Sequence, residues 1–282
     1  MYGKTKNMES TVNNELRGRL TKDGIRIYDP ADFAGMHAAG ALAARILDDI
    51  CEHVFVGQTT GAIDAAITKM VDDAGAKSAT IGYKGYEHAS CISVNHVVCH
   101  GIPSDKKLKD GDIINIDVTV IVDGWFGDTS RMYVAGKLPR KAERLIQVTH
   151  DALMKGIEIV KPGNTFGDIG HAIQAYAEAH RMSVVRDFCG HGLGRVFHAP
   201  PNVLHYGRPG TGATLEEGMF FTIEPMINLG RPETKTLADD WTAVTRDKSL
   251  SAQFEHSVGV TADGFEIFTL SPSGRFHPTY KV

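Results

Sequence analysis

"INIDVTVIVDGWFGDTS", from Ile114 to Ser130, has the outline of a β-hairpin but carries two aspartates that a hairpin does not need. Ile114, Ile116, Val118, Val120 and Val122 take alternate positions, the period of a strand with one apolar face. Asn115, Asp117 and Thr119 occupy the other face, Asp123-Gly124 supplies a turn, and a second run returns through Asp128. If that turn has two residues, Val122 faces Trp125 and Asp117 faces Ser130, which sets Asp128 diagonally across the ribbon from Asp117. Diagonal neighbours lie roughly 7–8 Å apart at the backbone, so both carboxylates could reach one ion. A three-residue loop would break this parity. Like charges on one face destabilise a sheet unless something positive lies between them, and converging carboxylates suggest a divalent cation. The hairpin alone equally fits an Asp128 that caps a turn in "GDTS" and an Asp117 that faces solvent.

The rest of the chain narrows the choice. Among 282 residues, 42% are hydrophobic, enough for a sizeable core, and the formal net charge of -4 gives no basic footprint for nucleic acid. No run of about 18 apolar residues suggests a membrane span. The N-terminal stretch has no apolar core of a secretory signal, so residues 1–28 read as a polar, mobile extension and residues 29–282 as one α+β domain. Four cysteines (Cys51, Cys91, Cys99 and Cys189) form no CxxC and suit a reducing cytoplasm.

Helical periodicity is expected after Pro30, from Thr59 or Thr60 to about Asp73, and in "KAERLIQVTHDALMKGIEIV" and "TFGDIGHAIQAYAEAHRM"; the last third reads as strand and loop, with a hairpin at Asp263-Gly264. "GQTTGAIDAAI" (Gly57–Ile67) and "GNTFGDIGHAI" (Gly163–Ile173) share six of eleven residues at an offset of 106. This echo predicts a pseudo-two-fold domain of two helix-pair-plus-strand halves.

Further charged residues stand where strands expect none. "CGHGLGRVFH" places His191 between glycines and His198 seven residues later. "FFTIEP" sets Glu224 at the end of an apolar strand, and "SAQFEHSVGV" sets Glu255 inside another. A carboxylate in such a strand is costly unless it is paired or ligating. Four separate segments with this anomaly point to one shared site.

The order Asp117, Asp128, His191, Glu224, Glu255, set in "VCHGIP", "DGDIINIDVTV", "GDTSRM", "CGHGLGR", "TIEPM" and "SLSAQFEHSV", resembles the five-ligand metal set of the methionine aminopeptidases, a pita-bread metallopeptidase family. The likeness runs from about Asp29 to Leu270. Only 26 positions separate His198 from Glu224, so the chain resembles the type I form, without the helical insertion of type II. The resemblance implies a pseudo-two-fold pita-bread fold with a curved antiparallel sheet covered by helices. It implies two divalent ions (Co, Mn, Fe or Zn). Asp117 would chelate one, His191 and Glu224 would bind the other, and Asp128 and Glu255 would bridge them. It further implies Glu224 as proton shuttle, His198 steadying the oxyanion, and His100 holding the substrate backbone. Tyr83, Tyr86, Cys91, Phe197 and Trp241 fall at the methionine side-chain pocket. Thr80 stands where many relatives carry cysteine, and "RVFHAPP" departs from the commoner "RGFHEEP" at Val196, Ala199 and Pro200. The implied activity is removal of initiator methionine before a small second residue, in the cytoplasm, by a monomer. Its partner is the nascent peptide N-terminus, and it implies contact with ribosomes, for which the basic positions Lys4, Lys6, Arg17, Arg19 and Lys22 are candidates, although this charge run reads first as a solvated tail. The alternatives are an Xaa-Pro-directed peptidase of this fold, which would carry a large N-terminal domain, and a non-enzymatic relative, which would have lost ligands.

Overall fold

A computed structural model describes residues 17–278. The Asp123-Gly124 turn has positive φ at both residues, 50° and 81°, the two-residue turn whose twist suits a hairpin. It joins two ten-residue strands. With β1 (Ser90–Val94) beside them, β2 (Ile113–Val122) and β3 (Trp125–Val134) form the ladder that fixes the register: Val122 pairs Trp125, Asp117 pairs Ser130 and Thr119 pairs Asp128. The apolar face of β2 packs under helices α1 (Phe33–Asp49) and α2 (Thr60–Asp73), where Leu47, Ile63 and Ile67 meet Ile114, Ile116 and Val118. Each fully buried aliphatic side chain there contributes about 1.5–3 kcal/mol. The polar face of β2 is enclosed as well. Asn115 donates to Ser130 Oγ and to the Gln253 carbonyl, because the second half of the molecule lies against it.

That second half repeats the plan. Helices α3 (Arg140–Ile157) and α4 (Phe166–Ala179) cover a sheet in which β4 (Gly190–Gly192) lies between β5 (Ala199–Val203) and β6 (Phe220–Ile223). Strand β7 (His256–Val260) pairs β6 on its other side. Leu145, Leu153, Ile169 and Ile173 pack with Phe221, Ile223 and Val258 into a separate core. All strand pairs among the described residues are antiparallel, but they form several short ladders rather than one continuous sheet.

The echo in the sequence is a structural repeat. Thr59 and Thr165 cap α2 and α4, each accepting from the backbone N–H three residues on. Such a cap is worth about 1 kcal/mol. Gly57 and Gly163 both sit at φ near +90° (93° and 91°), and their N–H groups donate to Leu108 and Leu215. From those leucines the repeat runs on, at an offset of 107, through "LKDGDIINID" and "LEEGMFFTIE". It ends on Asp117 in one half and Glu224 in the other, so the pseudo-two-fold relates two of the candidate ligands.

Part of the expected N-terminal extension belongs to the packed body. Strands Arg19–Leu20 and Arg26–Ile27 form a small hairpin, and Ile25, Ile27 and Tyr28 are buried. The alternation of Ile25 and Ile27 was too short a signal to outweigh the polar residues before it. Of the basic N-terminal positions, Arg17 and Arg19 pair with Asp32 (3.4 Å) and Glu216 (2.9 Å); Lys4 and Lys6 lie outside the described residues. No helix among the described residues is long and apolar enough to cross a membrane.

Candidate metal centre

Five elements deliver the five candidate ligands to one place. Asp117 stands in mid-β2 and Asp128 in β3, on the same face. His191 is the centre of β4. Glu224 follows β6 directly, where Pro225 has no N–H to continue the ladder, and the next strand begins only at Met226. Glu255 does not lie inside a strand as the sequence suggested. It occupies the break between Ser251–Gln253 and β7, held by a single bridge in which its N–H donates to the Ser130 carbonyl (3.1 Å). Both glutamates therefore sit where a ladder stops, with their side chains freed from the pleat.

Asp128, His191 and Glu255 bring one ligand atom each within 4.8 Å of one another. His191 Nε2 lies 3.4 Å from Asp128 Oδ2 and 3.8 Å from Glu224 Oε1. The Gly192 carbonyl, 3.1 Å from His191 Nδ1, assigns the ring proton to Nδ1 and turns the Nε2 lone pair toward the carboxylates. Burial, then the neighbouring Asp128 and Glu224, raise the Asp117 carboxyl well above its ordinary range. Glu255 is raised by burial and by Asp128, Glu224 and Asp117. Burial and Asp128 push Glu224 up to about 7 against the pull of His191 and Thr222. For His191, burial opposes the charged form, but Asp128 and Glu224 outweigh it and raise the imidazole. Four carboxylates around one imidazole are poorly compensated by the protein itself. Among the cavity's lining residues the one lysine, Lys84, points over the Tyr83 ring at 5.3 Å. A hard oxygen-rich set with one imidazole fits divalent metal ions.

Polar residues that the sequence reading passed over orient these ligands. Thr119 Oγ1 donates to Asp128 Oδ1 (2.7 Å). Thr222 Oγ1 accepts from His191 N–H (3.0 Å) and donates to Glu224 Oε1 (2.8 Å), so one hydroxyl serves two ligands. Gln253 Nε2 donates to Glu224 Oε2 at 3.3 Å. A Thr222→Val protein keeps the strand shape and loses both bonds. Its affinity for added Mn or Co is expected to fall about 10–100-fold in a metal titration, with little change in melting temperature.

All twelve predicted site residues line one cavity of about 760 Å³. Tyr83, Phe197 and His198 cluster on one wall, and His198 lies 4.1 Å from the His191 ring. Tyr86 meets Trp241 edge-on at 4.9 Å, and Cys91 pairs with Asp117 across the ladder. His100 lies against Phe188 (5.4 Å) and Trp241 (6.1 Å). Burial and the neighbouring His191 lower His198 to about 4, and burial lowers His100. Thr80, Ala199 and Pro200 also line the cavity, whereas Val196 is not among its lining residues. Phe188, Met226, Cys99, Cys189, Asn202 and Asp23 line it too, without having been proposed as site residues, as do Asp187 and Pro201. A charge-rich end thus adjoins an aromatic compartment, the chemistry needed to hold an apolar side chain beside a cation centre.

The profile of metallopeptidase family M24 matches residues 34–262. The chain belongs to metallopeptidase family M24, whose members use divalent metal and share the pita-bread fold seen here. It is 60% identical to the methionine aminopeptidase of Rickettsia prowazekii, over 91% of this chain and 99% of that protein. It is 51% identical to the methionine aminopeptidase of Escherichia coli K12, over 87% of this chain and 94% of that protein. The crystal structure of the Rickettsia prowazekii enzyme matches with a TM-score of 0.87, covering 87% of this chain and all (100%) of that one. A prolidase from Pyrococcus horikoshii, 20% identical with a TM-score of 0.69 over 87% of this chain and 63% of its own, shares the fold alone.

Proposed function

We propose that this chain is a methionine aminopeptidase that releases N-terminal methionine from proteins and peptides when the second residue is small. The observation that carries the reading is the convergence of Asp117, Asp128, His191, Glu224 and Glu255 beside an aromatic compartment of the same cavity. These five residues would hold two divalent ions, which when bound supply a water activated near neutral pH for attack on the first peptide carbonyl.

The chain's own groups do the rest. Glu224, placed next to His191, takes a proton from the attacking water and returns it to the departing amine. His198 is neutral above about pH 4 and donates its N–H to the carbonyl oxygen as negative charge develops there. His100, held at a φ of 56° between Phe188 and Trp241, hydrogen-bonds the substrate backbone. Tyr83, Tyr86, Cys91, Phe197 and Trp241 enclose the unbranched, polarizable methionine side chain. Burial keeps the Cys91 thiol protonated, so it packs as an apolar group.

Removal of the His198 donor in His198→Ala is expected to lower kcat about 10²–10³-fold while metal content and KM change little, as read by steady-state kinetics. Specificity is tested by offering Met-Ala-Ser, Met-Leu-Ser and Ala-Pro-Ala to the metal-loaded protein. N-terminal residue release from Met-Ala-Ser far above that from the other two is the expected outcome. Preferential hydrolysis of Ala-Pro-Ala would move the chain to the proline-directed class.

A further inference from the structure

The N-terminal hairpin reaches the substrate cavity. Asp23, at its tip, is a lining residue of the same space that holds the candidate ligands. Its position is fixed by short-range chemistry. Thr21 Oγ1 accepts from the N–H groups of Asp23 (3.3 Å) and Ile25 (3.1 Å), and Thr21 N–H donates to the Ile25 carbonyl (2.8 Å). Gly24 completes the turn at a φ of 75°. Behind the tip, Ile25 and Ile27 are buried, Ile27 bridges Met219, and Arg19 pairs with Glu216 at 2.9 Å.

The Asp23 carboxylate has no use inside the protein. It is exposed and has neither a hydrogen bond nor an ion pair with any described residue. The other acids of the cavity are committed: Asp117, Asp128, Glu224 and Glu255 to the cation centre, and Asp187 Oδ2 to the Thr234 hydroxyl at 2.6 Å. The wall near His198 contributes Ala199 and Pro200, where the commoner pattern has two glutamates, so no carboxylate comes from that strand. An extended chain advances ~3.3 Å per residue, so a cavity of about 760 Å³, roughly 9 Å across, takes up the first two or three substrate residues. Side chains of the third and fourth residues would then fall at or beyond its edge, where the exposed Asp23 stands.

We infer that Asp23 is a specificity-determining residue, favouring substrates with lysine or arginine at the third or fourth position over those with an acid there. The inference rests on the methionine aminopeptidase reading. An exposed carboxylate close to a substrate cation shifts binding about three- to fivefold at low salt, and the effect fades as salt screens it. Lys84, also at the cavity, biases every variant alike, so the change from the parent protein to an Asp23 variant isolates Asp23.

The test compares kcat/KM for Met-Ala-Lys-Ala and Met-Ala-Glu-Ala in the metal-loaded protein, in Asp23→Asn and in Asp23→Lys. The lysine peptide should lead in the parent protein. Its lead relative to the glutamate peptide, which sums attraction of lysine and repulsion of glutamate, should shrink about ten- to twenty-five-fold in Asp23→Asn and invert in Asp23→Lys. Both changes should sit in KM and diminish at about 0.5 M salt. Identical selectivity in the parent protein and Asp23→Asn overturns the inference and leaves the parent reading intact. No methionine released from either peptide overturns the parent reading, and this one with it.

Discussion

Asp117→Asn is expected to abolish methionine release and, in the metal-free protein, to raise the melting temperature. The two effects have one cause. Asp117 stands on β2 with its carboxyl raised by burial and by the repulsion of Asp128 and Glu224. Asparagine has the same shape without the charge, so it relieves that repulsion while no cation is bound. With metal present, the same change removes a ligand whose carboxylate no neighbour replaces. Activity should fall by about three orders of magnitude or more, which is about 4 kcal/mol of transition-state stabilisation. The stripped variant should melt about 2–4 °C above the stripped parent protein. Calorimetry, elemental analysis and methionine release on the same samples check the prediction. A misfolding variant would lose both activity and stability, so the opposite signs separate a ligand from a structural aspartate.

The second large effect concerns pH in the stripped protein. Asp117, Glu224 and Glu255 all have carboxyls raised above the ordinary range in the folded state, with Glu224 at about 7. The unfolded chain releases these protons near pH 4. Between the two values the folded state holds more protons, so stability is fully present below about pH 4 and is lost as pH rises through about 7. His191, also raised, works in the same direction. For Glu224 alone, moving from 4.5 to about 7 amounts to on the order of 3 kcal/mol. The stripped protein should therefore melt at progressively lower temperature from pH 5 to pH 8. Divalent metal takes the place of those protons, so the loaded protein should lose most of that slope and gain stability by mass action. A stripped protein whose melting temperature is flat or rising over this range would show that burial and mutual repulsion do not raise these carboxyls.

How much of this was readable in the sequence depends on where each signal lies. The hairpin was fully legible, because Asp123-Gly124 specifies a two-residue turn and the turn fixes which residues face each other. Glu224 and Glu255 betrayed themselves as charges in apolar surroundings. That both stand at strand breaks was legible only for Glu224, which Pro225 follows; Glu255 has no such marker. The first segment of the repeat showed in both copies because a Gly-x-Thr helix start depends on side chains. Its continuation at Leu108 and Leu215 did not, because it rests on backbone hydrogen bonds that nearly any residue can make. Thr119 and Thr222 look like ordinary β-strand threonines, and their work as orienting hydroxyls appears only when the strands are assembled. Asp23 carried no signal at all: Lys22-Asp23-Gly24 reads as an ordinary polar turn, and the cavity it borders is built from residues far along the chain.

The most direct measurement is the return of activity to the stripped protein as Mn, Fe, Co or Zn is added, with bound metal counted and free methionine from Met-Ala-Ser assayed in the same samples. The account predicts no methionine without metal, release that rises with occupancy of the site, and no recovery in Asp117→Asn. Methionine release from thoroughly stripped protein, or full occupancy of the five-residue centre without any release, would contradict it.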